Sequence, residues 1–314
     1  MKNIALVLSG GGARGMAHIG VIRELEERGY TITSVAGSSI GAMVGAFYAT
    51  GELDAFARFF TSLSPADVLN LMDLTFSDHG FIKAEKLFKE LEKQIPDCLI
   101  EELPIPLAIT ATDIASYEEY VITSGSLYKA VRASVAIPAV ITSVCQKGRV
   151  LVDGGIINPL PLNRVVRRPG DWLVGVNLYG FAEMSKEKGL RRVKEKNILR
   201  SIQHKFVSLR DWKSNLMNAI FSDEKKSYGY MSTLRIIIDV MDQQIASQAI
   251  ALYKPDLTIP IPITASGVFD FQKAEMLIEL GQKIAEQYID DFESKNFTRK
   301  RFVRKSFWCR LLRL

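Results

Sequence analysis

The sequence predicts an α/β protein with three layers, α/β/α, in which helices cover both faces of a mainly parallel central sheet. Apolar runs of strand length alternate with segments of helix length along most of the 314 residues. The first two loops between a strand and a helix are rich in glycine. No linker rich in Pro, Gly and Ser divides the chain, and 47% hydrophobic residues suffice for a sizeable core. We therefore expect one domain over residues 1–294, followed by a tail over residues 295–314.

The elements follow in order from the N-terminus. An apolar strand at residues 3–8 leads through a glycine loop into a helix at residues 16–28. A strand at residues 31–36 leads through a second glycine loop into a helix that ends near residue 50. Further strands are predicted at residues 106–111, 119–123, 149–152, 172–177 and 256–259. Further helices are predicted at residues 84–94, 127–133 and 271–288.

Positive charge is concentrated in the tail. Residues 295–314 contain eight Lys or Arg and no acid, which leaves 32 basic against 35 acidic residues in residues 1–294. The tail also contains aromatic and leucine side chains, a composition suited to anionic lipid headgroups, although nucleic acid attracts such charge too. Residues 186–210, within a divergent stretch at 181–250, form a basic amphipathic helix candidate, which an ordinary solvated surface helix also explains.

Several classes of protein are disfavoured. Three cysteines far apart cannot form a disulfide framework, and no Cys/His cluster has the spacing of metal ligands. The N-terminus lacks the pattern of a secretory signal, and no apolar run is long enough to span a membrane. We expect a cytoplasmic protein without a metal or other cofactor, associated with a membrane through residues 295–314 and, as a weaker expectation, residues 186–210. Nucleic acid is not expected as a partner, and the sequence leaves the oligomeric state open.

The first glycine loop allows two interpretations. Gly10, Gly12 and Gly15 match the G-x-G-x-x-G pattern of dinucleotide-binding proteins. That interpretation requires an acid after the second strand, where this chain has Ala36-Gly37-Ser38-Ser39 instead. The same backbone can bind a developing oxyanion through free N–H groups, which involves Gly10, Gly11, Gly12, Gly15 and the neighbouring Arg14. Arg14 either adds a positive field there or forms a salt bridge that only fixes the loop.

The second glycine loop resembles a nucleophile elbow. Gly37-Ser38-Ser39-Ile40-Gly41 fits G-x-S-x-G and lies between a strand and a helix, as that motif requires. Gly37 and Gly41 would permit the strained turn that points Ser39 outward. A plain Gly/Ser turn is the alternative, but the anion loop one unit upstream favours a nucleophile.

The general base is predicted to be an aspartate. Of the histidines, His79 and His204 follow no credible strand end, and His18 is better placed to orient the glycine loop by a hydrogen bond. Asp153 follows the strand at residues 149–152, at the end where ligands bind in parallel sheets, and Gly154 and Gly155 leave room beside it. Burial would raise its basicity enough to serve a serine. An Asp-Gly turn is the ordinary alternative.

With these motifs the sequence resembles the patatin-like phospholipase family, and within it bacterial members related to the neuropathy target esterase branch. The resemblance covers roughly residues 3–180 and includes the block Arg132-Ala133-Ser134-Val135-Ala136-Ile137-Pro138 before Asp153. One departure is Ser9, where many members have an acid. The resemblance implies a patatin-like fold and metal-independent hydrolysis of acyl esters in phospholipids or lysophospholipids. It also implies a Ser39–Asp153 dyad and an acyl-enzyme intermediate.

A lipid substrate would need an apolar cleft for its acyl chain. Apolar side chains soon after the elbow are candidates for that cleft, although core packing explains most of them: Phe56, Phe59, Phe60, Leu69, Leu71, Met72, Leu74 and Phe76. The competing hypothesis is a non-catalytic regulatory or scaffold protein that binds a partner through its basic segments. The intact Ser39, Asp153 and glycine loop weigh against it.

Overall fold

A computed structural model of the chain describes residues 2–77, 80–138, 140–146, 148–180 and 230–311. Within these residues, the strands are β1 (Lys2–Leu8), β2 (Tyr30–Ser38), β3 (Leu74–Ser77), β4 (Gly80–Ile82), β5 (Leu107–Asp113), β6 (Glu118–Ile122), β7 (Val144–Gln146), β8 (Arg149–Asp153), β9 (Trp172–Gly180) and β10 (Leu257–Pro262). The α-helices are α1 (Met16–Glu27), α2 (Ile40–Ala49), α3 (Leu53–Thr61), α4 (Pro65–Leu71), α5 (Glu85–Gln94), α6 (Leu127–Ser134), α7 (Tyr230–Tyr253) and α8 (Ala274–Leu311). Short 3₁₀ helices include Gly12–Gly15 and Gly154–Ile156.

The central sheet has eight strands and two kinds of pairing. Its order is β10-β9-β1-β2-β5-β8-β7, with β6 also paired to β5, while β3 and β4 form a separate hairpin. Strands β10, β9, β1, β2 and β5 are parallel to their neighbours in that order. Strands β6 and β8 run antiparallel to β5, and β7 runs antiparallel to β8. The sheet is therefore mixed, with a parallel majority as predicted.

Helices cover both faces of this sheet because its central strands are apolar on both sides. In β1, Ile4, Leu6 and Leu8 belong to a core that includes residues of α1, α2, α3 and α8. The alternate residues, Ala5 and Val7, belong to a second core that includes residues of α7. This alternation follows the two-residue period of a strand. The predicted three-layer α/β/α class is confirmed.

Helix α8 supports the first strand–helix unit through a close crossing with α1. A Cβ placed on Gly20 would lie 2.0 Å from the carbonyl oxygen of Ile278, and one on Gly281 would lie 2.1 Å from that of Ala17. Only glycine permits this approach of the two backbones. At the other end of α1, Arg28 pairs with Asp290 of α8 at 2.5 Å.

The predicted elements are present, and several further ones were not predicted. The last helix begins three residues later than expected and continues through residue 294, the expected border of the tail, to Leu311. Helices α3, α4 and α7 and strands β3, β4 and β7 were not predicted. The basic amphipathic candidate at residues 186–210 lies outside the described residues. In the described part of the chain, no helix combines the length and the apolar character needed to cross a bilayer.

Candidate active site

The elbow between β2 and α2 holds Ser39 in a strained backbone conformation, with φ 53° and ψ −125°. A Cβ on Gly37 would lie 2.5 Å from the backbone of Gly41, and one on Gly41 would lie 2.2 Å from the carbonyl oxygen of Leu8. At both positions the neighbouring backbone leaves no room for a side chain, as the pattern predicts. The turn places Ser39 at the N-terminus of α2, where the helix dipole favours negative charge.

Strands β2 and β8 approach each other end to end along the same edge of β5. Ser38 pairs with Thr110, and Asp153 pairs with the next residue, Ala111. Both Thr110 and Ala111 are paired with β6 on their other side. Since a strand residue has one neighbour on each side, the carboxyl ends of β2 and β8 must meet here.

This arrangement corrects the reason given for the position of Asp153. The sequence places it at the carboxyl end of a parallel strand, but β8 is antiparallel to β5 and arrives from the opposite direction. The predicted neighbour is nevertheless correct, because the hydroxyl of Ser39 donates a hydrogen bond to Asp153 Oδ2 at 2.5 Å. Gly154 permits the turn that follows, since a Cβ placed on it would lie 2.3 Å from the carbonyl oxygen of Thr110.

The environment of Asp153 makes it a stronger base than an ordinary aspartate. The residue is only 7% exposed. Burial raises the pKa of its carboxyl to about 6, against opposing hydrogen bonds from the Ser39 hydroxyl and the Gly155 N–H. At neutral pH most of it is ionised and able to accept a proton from Ser39.

Ser134, at the C-terminus of α6, fixes the elbow and was not assigned a role from the sequence. Its hydroxyl accepts the N–H of Ser39 at 2.8 Å and donates to the carbonyl oxygen of Thr110 at 2.7 Å. Ser134 belongs to the block before Asp153 that carries part of the family resemblance. That block was the available signal.

In the glycine loop, some backbone N–H groups already donate a hydrogen bond and others have no backbone acceptor in the described part of the chain. Gly10 differs from the prediction, because its N–H already donates to the carbonyl oxygen of Pro159 at 3.0 Å. In the described part of the chain, the N–H groups of Gly11 and Gly12 have no backbone acceptor. Both glycines have positive φ angles, 148° and 59°. Gly15 has a packing role, since a Cβ on it would lie 2.3 Å from the Ile40 side chain.

Arg14 takes the second of its two expected roles and fixes the loop. Its buried guanidinium donates to the carbonyl oxygens of Gly11 and Ile263, both at 2.9 Å. It also pairs with Asp239 of α7 at 3.0 Å. These contacts hold the loop, and the role of Arg14 in the oxyanion hole stays a prediction.

His18 contacts the glycine loop, and no hydrogen bond joins it to Ser39 in the described part of the chain. Its Nε2 lies 2.9 Å from the carbonyl oxygen of Ser9, as the sequence suggests. Burial lowers the pKa of the imidazole to about 4, despite the hydrogen bond to Ser9. The ring is therefore neutral near pH 7 and Nε2 must carry the proton that it donates.

An apolar cavity opens beside Ser39 and Gly12. Its wall is formed almost entirely by apolar side chains, among them Met43, Phe60, Leu71, Met72, Ile137 and Val268. Three of the eight candidates from the sequence, Phe60, Leu71 and Met72, line it. Phe60 and Met72 also belong to the core, as do Phe56 and Phe59, which do not line the cavity. Leu69 is 43% exposed.

Two acids that contact Tyr179 and Arg14 were missed by sequence reasoning. Asp242 of α7 is 8% exposed and accepts a hydrogen bond from the hydroxyl of Tyr179 at 2.9 Å. Asp239, which pairs with Arg14, lies one helical turn earlier on α7. No local pattern in the sequence singles out either acid, because polar residues such as Gln243 and Gln244 stand beside them. The described residues contain no group of three or more His, Cys, Asp or Glu side chains that would hold a metal ion.

Comparison with known proteins relates the chain to lipid hydrolases. An uncharacterized NTE family protein of Mycobacterium bovis is 32% identical over 336 residues, and the alignment covers 92% of each chain. The lysophospholipase NTE1 of Coccidioides immitis is 26% identical over 94% of this chain, which corresponds to 18% of that longer protein. The neuropathy target esterase sws of Drosophila grimshawi is 36% identical over 51% of this chain and 11% of its own length.

A family match agrees with these relatives. Residues 6–166 match the family described as patatin-like phospholipase. This range contains the glycine loop, the elbow with Ser39, and Asp153 with its two glycines. The chain therefore belongs to the patatin-like phospholipase family, in the branch that includes the neuropathy target esterases.

Proposed function

We propose that this protein hydrolyses acyl esters of phospholipids or lysophospholipids through a Ser39–Asp153 dyad. The observation that carries the proposal is the 2.5 Å hydrogen bond from the Ser39 hydroxyl to a buried carboxyl group beside an apolar cavity. The names of the relatives, a lysophospholipase and neuropathy target esterases, point to the same class of substrate. Membership of the patatin-like phospholipase family supports an esterase or phospholipase activity on lipids.

The reaction begins when Asp153 Oδ2 takes the proton of the Ser39 hydroxyl. The oxygen of Ser39 attacks the ester carbonyl, and the N–H groups of Gly11 and Gly12 bind the oxyanion that forms. Asp153 returns the proton to the departing alcohol as the acyl-enzyme forms. The same carboxylate then activates a water molecule, which attacks the acyl group and releases Ser39. Gly12 lines the same cavity as Ser39, which supports this placement of the oxyanion.

Labelling with a fluorophosphonate tests the nucleophile and the base together. Ser39→Ala removes the attacking oxygen and Asp153→Asn removes the base, so both variants are expected to lose labelling. Ser38→Ala is the matched control, because Ser38 is an adjacent buried serine whose hydroxyl has no partner in the described part of the chain. Ser38→Ala is expected to keep labelling, and His18→Ala is expected to retain part of it, because His18 contacts the glycine loop but not Ser39. Loss with His18→Ala but not with Asp153→Asn would contradict the dyad, and an unlabelled wild type would favour a scaffold protein.

The apolar cavity is proposed to hold the acyl chain. A larger side chain in its wall should reduce hydrolysis of long-chain esters more than that of short-chain esters, because the longer chain reaches further into the cavity. Leu71→Trp is the test variant, and Leu69→Trp on the exposed side of α4 is its control. The measurement is the ratio of kcat/KM for p-nitrophenyl palmitate and p-nitrophenyl butyrate. An equal change in this ratio for both variants would contradict the assignment.

Contact with an anionic membrane through residues 295–314 is a separate proposal. It is supported by the eight cations among aromatic and leucine residues in the sequence of that segment. Deleting these residues is expected to reduce sedimentation with vesicles that contain phosphatidylglycerol while sparing hydrolysis of p-nitrophenyl butyrate. Vesicles of phosphatidylcholine alone are the control for charge. Unchanged sedimentation after the deletion would contradict the proposal.

A further inference from the structure

A second buried carboxyl group lies close to the dyad. Asp242 accepts the hydrogen bond of the Tyr179 hydroxyl, and that hydroxyl lies 3.1 Å from the position that a Cβ on Gly10 would occupy. The Cβ of Ser39 lies 3.3 Å from the same position. One side chain, Tyr179, therefore connects Asp242 to the immediate surroundings of Ser39.

The carboxyl groups of Asp242 and Asp153 both lie close to Gly155. A Cβ placed on Gly155 would lie 3.1 Å from Asp153 Oδ1 and 3.6 Å from Asp242 Oδ2. Any side chain at this position would stand next to both oxygens. The last glycine of the motif thus allows two acids from different elements, β8 and α7, to share one buried space.

The charges around Asp242 do not neutralise this pair. The other ionisable groups that face Asp242 are Tyr179 of β9, Arg14 of the glycine loop and Asp239 of α7. The guanidinium of Arg14 pairs with Asp239. In the described part of the chain no Lys or Arg forms an ion pair with Asp242. Two carboxyl groups in this situation resist being ionised together.

We propose that Asp242 is a positioning residue that acts on the reaction through Asp153, because its negative charge makes Asp153 hold a proton more tightly and so makes it a stronger base toward Ser39. The inference rests on the proposed function, in which Asp153 takes the proton of Ser39. Asp242 itself touches no reacting atom. Its hydrogen bond with Tyr179 holds the carboxyl group near Gly155.

The titration of the two groups agrees with this geometry. The pKa of Asp242 is raised to about 7, first by burial and then by the charge of Asp153, and that of Asp153 is raised to about 6 by burial. The pair therefore loses two protons in succession near neutral pH. Asp242 loses the second proton, and its negative charge then lies near the ionised carboxylate of Asp153. This charge raises the basicity of Asp153.

The test is the pH dependence of kcat/KM for p-nitrophenyl butyrate, which has no ionisable group in this range. The full-length wild type is expected to gain activity over two ionisations. Asp242→Asn keeps an oxygen that can accept the Tyr179 hydrogen bond but removes the charge. This variant is expected to show one ionisation and a plateau lower by about three- to tenfold.

Tyr179→Phe provides the second measurement and keeps the test valid if Asp242→Asn does not fold, which circular dichroism would reveal. It retains both carboxyl groups and removes a hydrogen bond that favours the ionised form of Asp242, so the upper ionisation should move to higher pH. Two unchanged ionisations in Asp242→Asn, or an unmoved upper ionisation in Tyr179→Phe, would overturn the inference. Failure of the proposed function is a different result, namely near wild-type activity of Asp153→Asn.

Discussion

Two buried aspartates of the antiparallel β5–β8 pair have pKa values shifted in opposite directions. Asp113 ends β5 and Asp153 ends β8, and they lie two register positions apart, since Asp113 pairs with Leu151 and Asp153 with Ala111. Asp113 is 2% exposed and Asp153 is 7% exposed. Similar burial would suggest similar pKa values, yet the two differ in direction.

The donors around each carboxyl group contribute to this difference. Burial alone would raise the pKa of Asp113, but hydrogen bonds from the N–H groups of Ala115 and Val150 and from Arg149 lower it overall. In the described part of the chain, Asp153 accepts hydrogen bonds only from the Ser39 hydroxyl and the Gly155 N–H, and its pKa is raised to about 6. The aspartate with fewer donors is therefore the one suited to accept a proton.

The largest expected effect that separates the two aspartates is on catalysis. Asp153→Asn should lower kcat/KM for p-nitrophenyl butyrate by about 10³-fold or more, because the variant has no base for Ser39. Asp113→Asn should retain activity within about tenfold, because Asp113 contacts neither Ser39 nor the cavity. Steady-state kinetics of both variants give the comparison. Equal losses in two folded variants would break it.

The next effect is on stability, where the two aspartates have opposite signs. The folded-state pKa of Asp153 lies above the ordinary value of about 3.9, so the folded protein loses roughly 3 kcal/mol of stability as the pH rises from about 4 through 6. Asp113 has a lowered pKa, so its contribution is present above the ordinary value and is lost as the pH falls through the folded-state value.

Urea unfolding of the asparagine variants measures these signs. At about pH 8, Asp153→Asn should raise the free energy of unfolding by roughly 1–3 kcal/mol, and near pH 4 it should change it little. Asp113→Asn should lower the free energy of unfolding at about pH 8, because Arg149 and two backbone N–H groups lose a charged acceptor. A higher free energy of unfolding in Asp113→Asn would mean that these donors do not stabilise the ionised carboxyl group.

The smallest expected effect concerns the backbone of the elbow. Ser39→Gly should raise the free energy of unfolding by about 1 kcal/mol while it abolishes hydrolysis, since glycine adopts the positive φ of this residue without strain. Ser38→Gly on the neighbouring extended strand residue should destabilise the protein instead. Thermal unfolding of both variants distinguishes them. A destabilising Ser39→Gly would mean that the elbow is less strained than its φ angle indicates.

Local signals in the sequence were sufficient for the elbow and for selecting Asp153 as the acid beside Ser39. The glycines around Ser39 identify a strand–turn–helix, and the motif after Asp153 identifies the acid without any knowledge of its neighbours. The direction of β8 was not available in the same way. It depends on pairing with β5, about forty residues earlier in the chain, and an apolar run has the same pattern in either direction.

Helix α7 could not be predicted because its pattern is opposite to that of an ordinary surface helix. Asp242 and Gln243 are buried, while Ile236, Val240 and Met241 are exposed. A prediction from hydrophobic periodicity would place the apolar face of α7 against the sheet, whereas apolar residues of this helix are exposed. The acids that contact Tyr179 and Arg14 therefore become recognisable only once the strand they pack against is in place.

The crossing of α1 and α8 affects how mutational screens of this protein should be interpreted. Gly20 and Gly281 have no chemical role, yet an added methyl group at either would collide with the opposite backbone. The resulting displacement would reach the start of α1, which adjoins the loop with Gly11 and Gly12. Inactive variants at these two positions would result from a displaced helix some distance from the reaction. They should not be counted as evidence for additional catalytic groups.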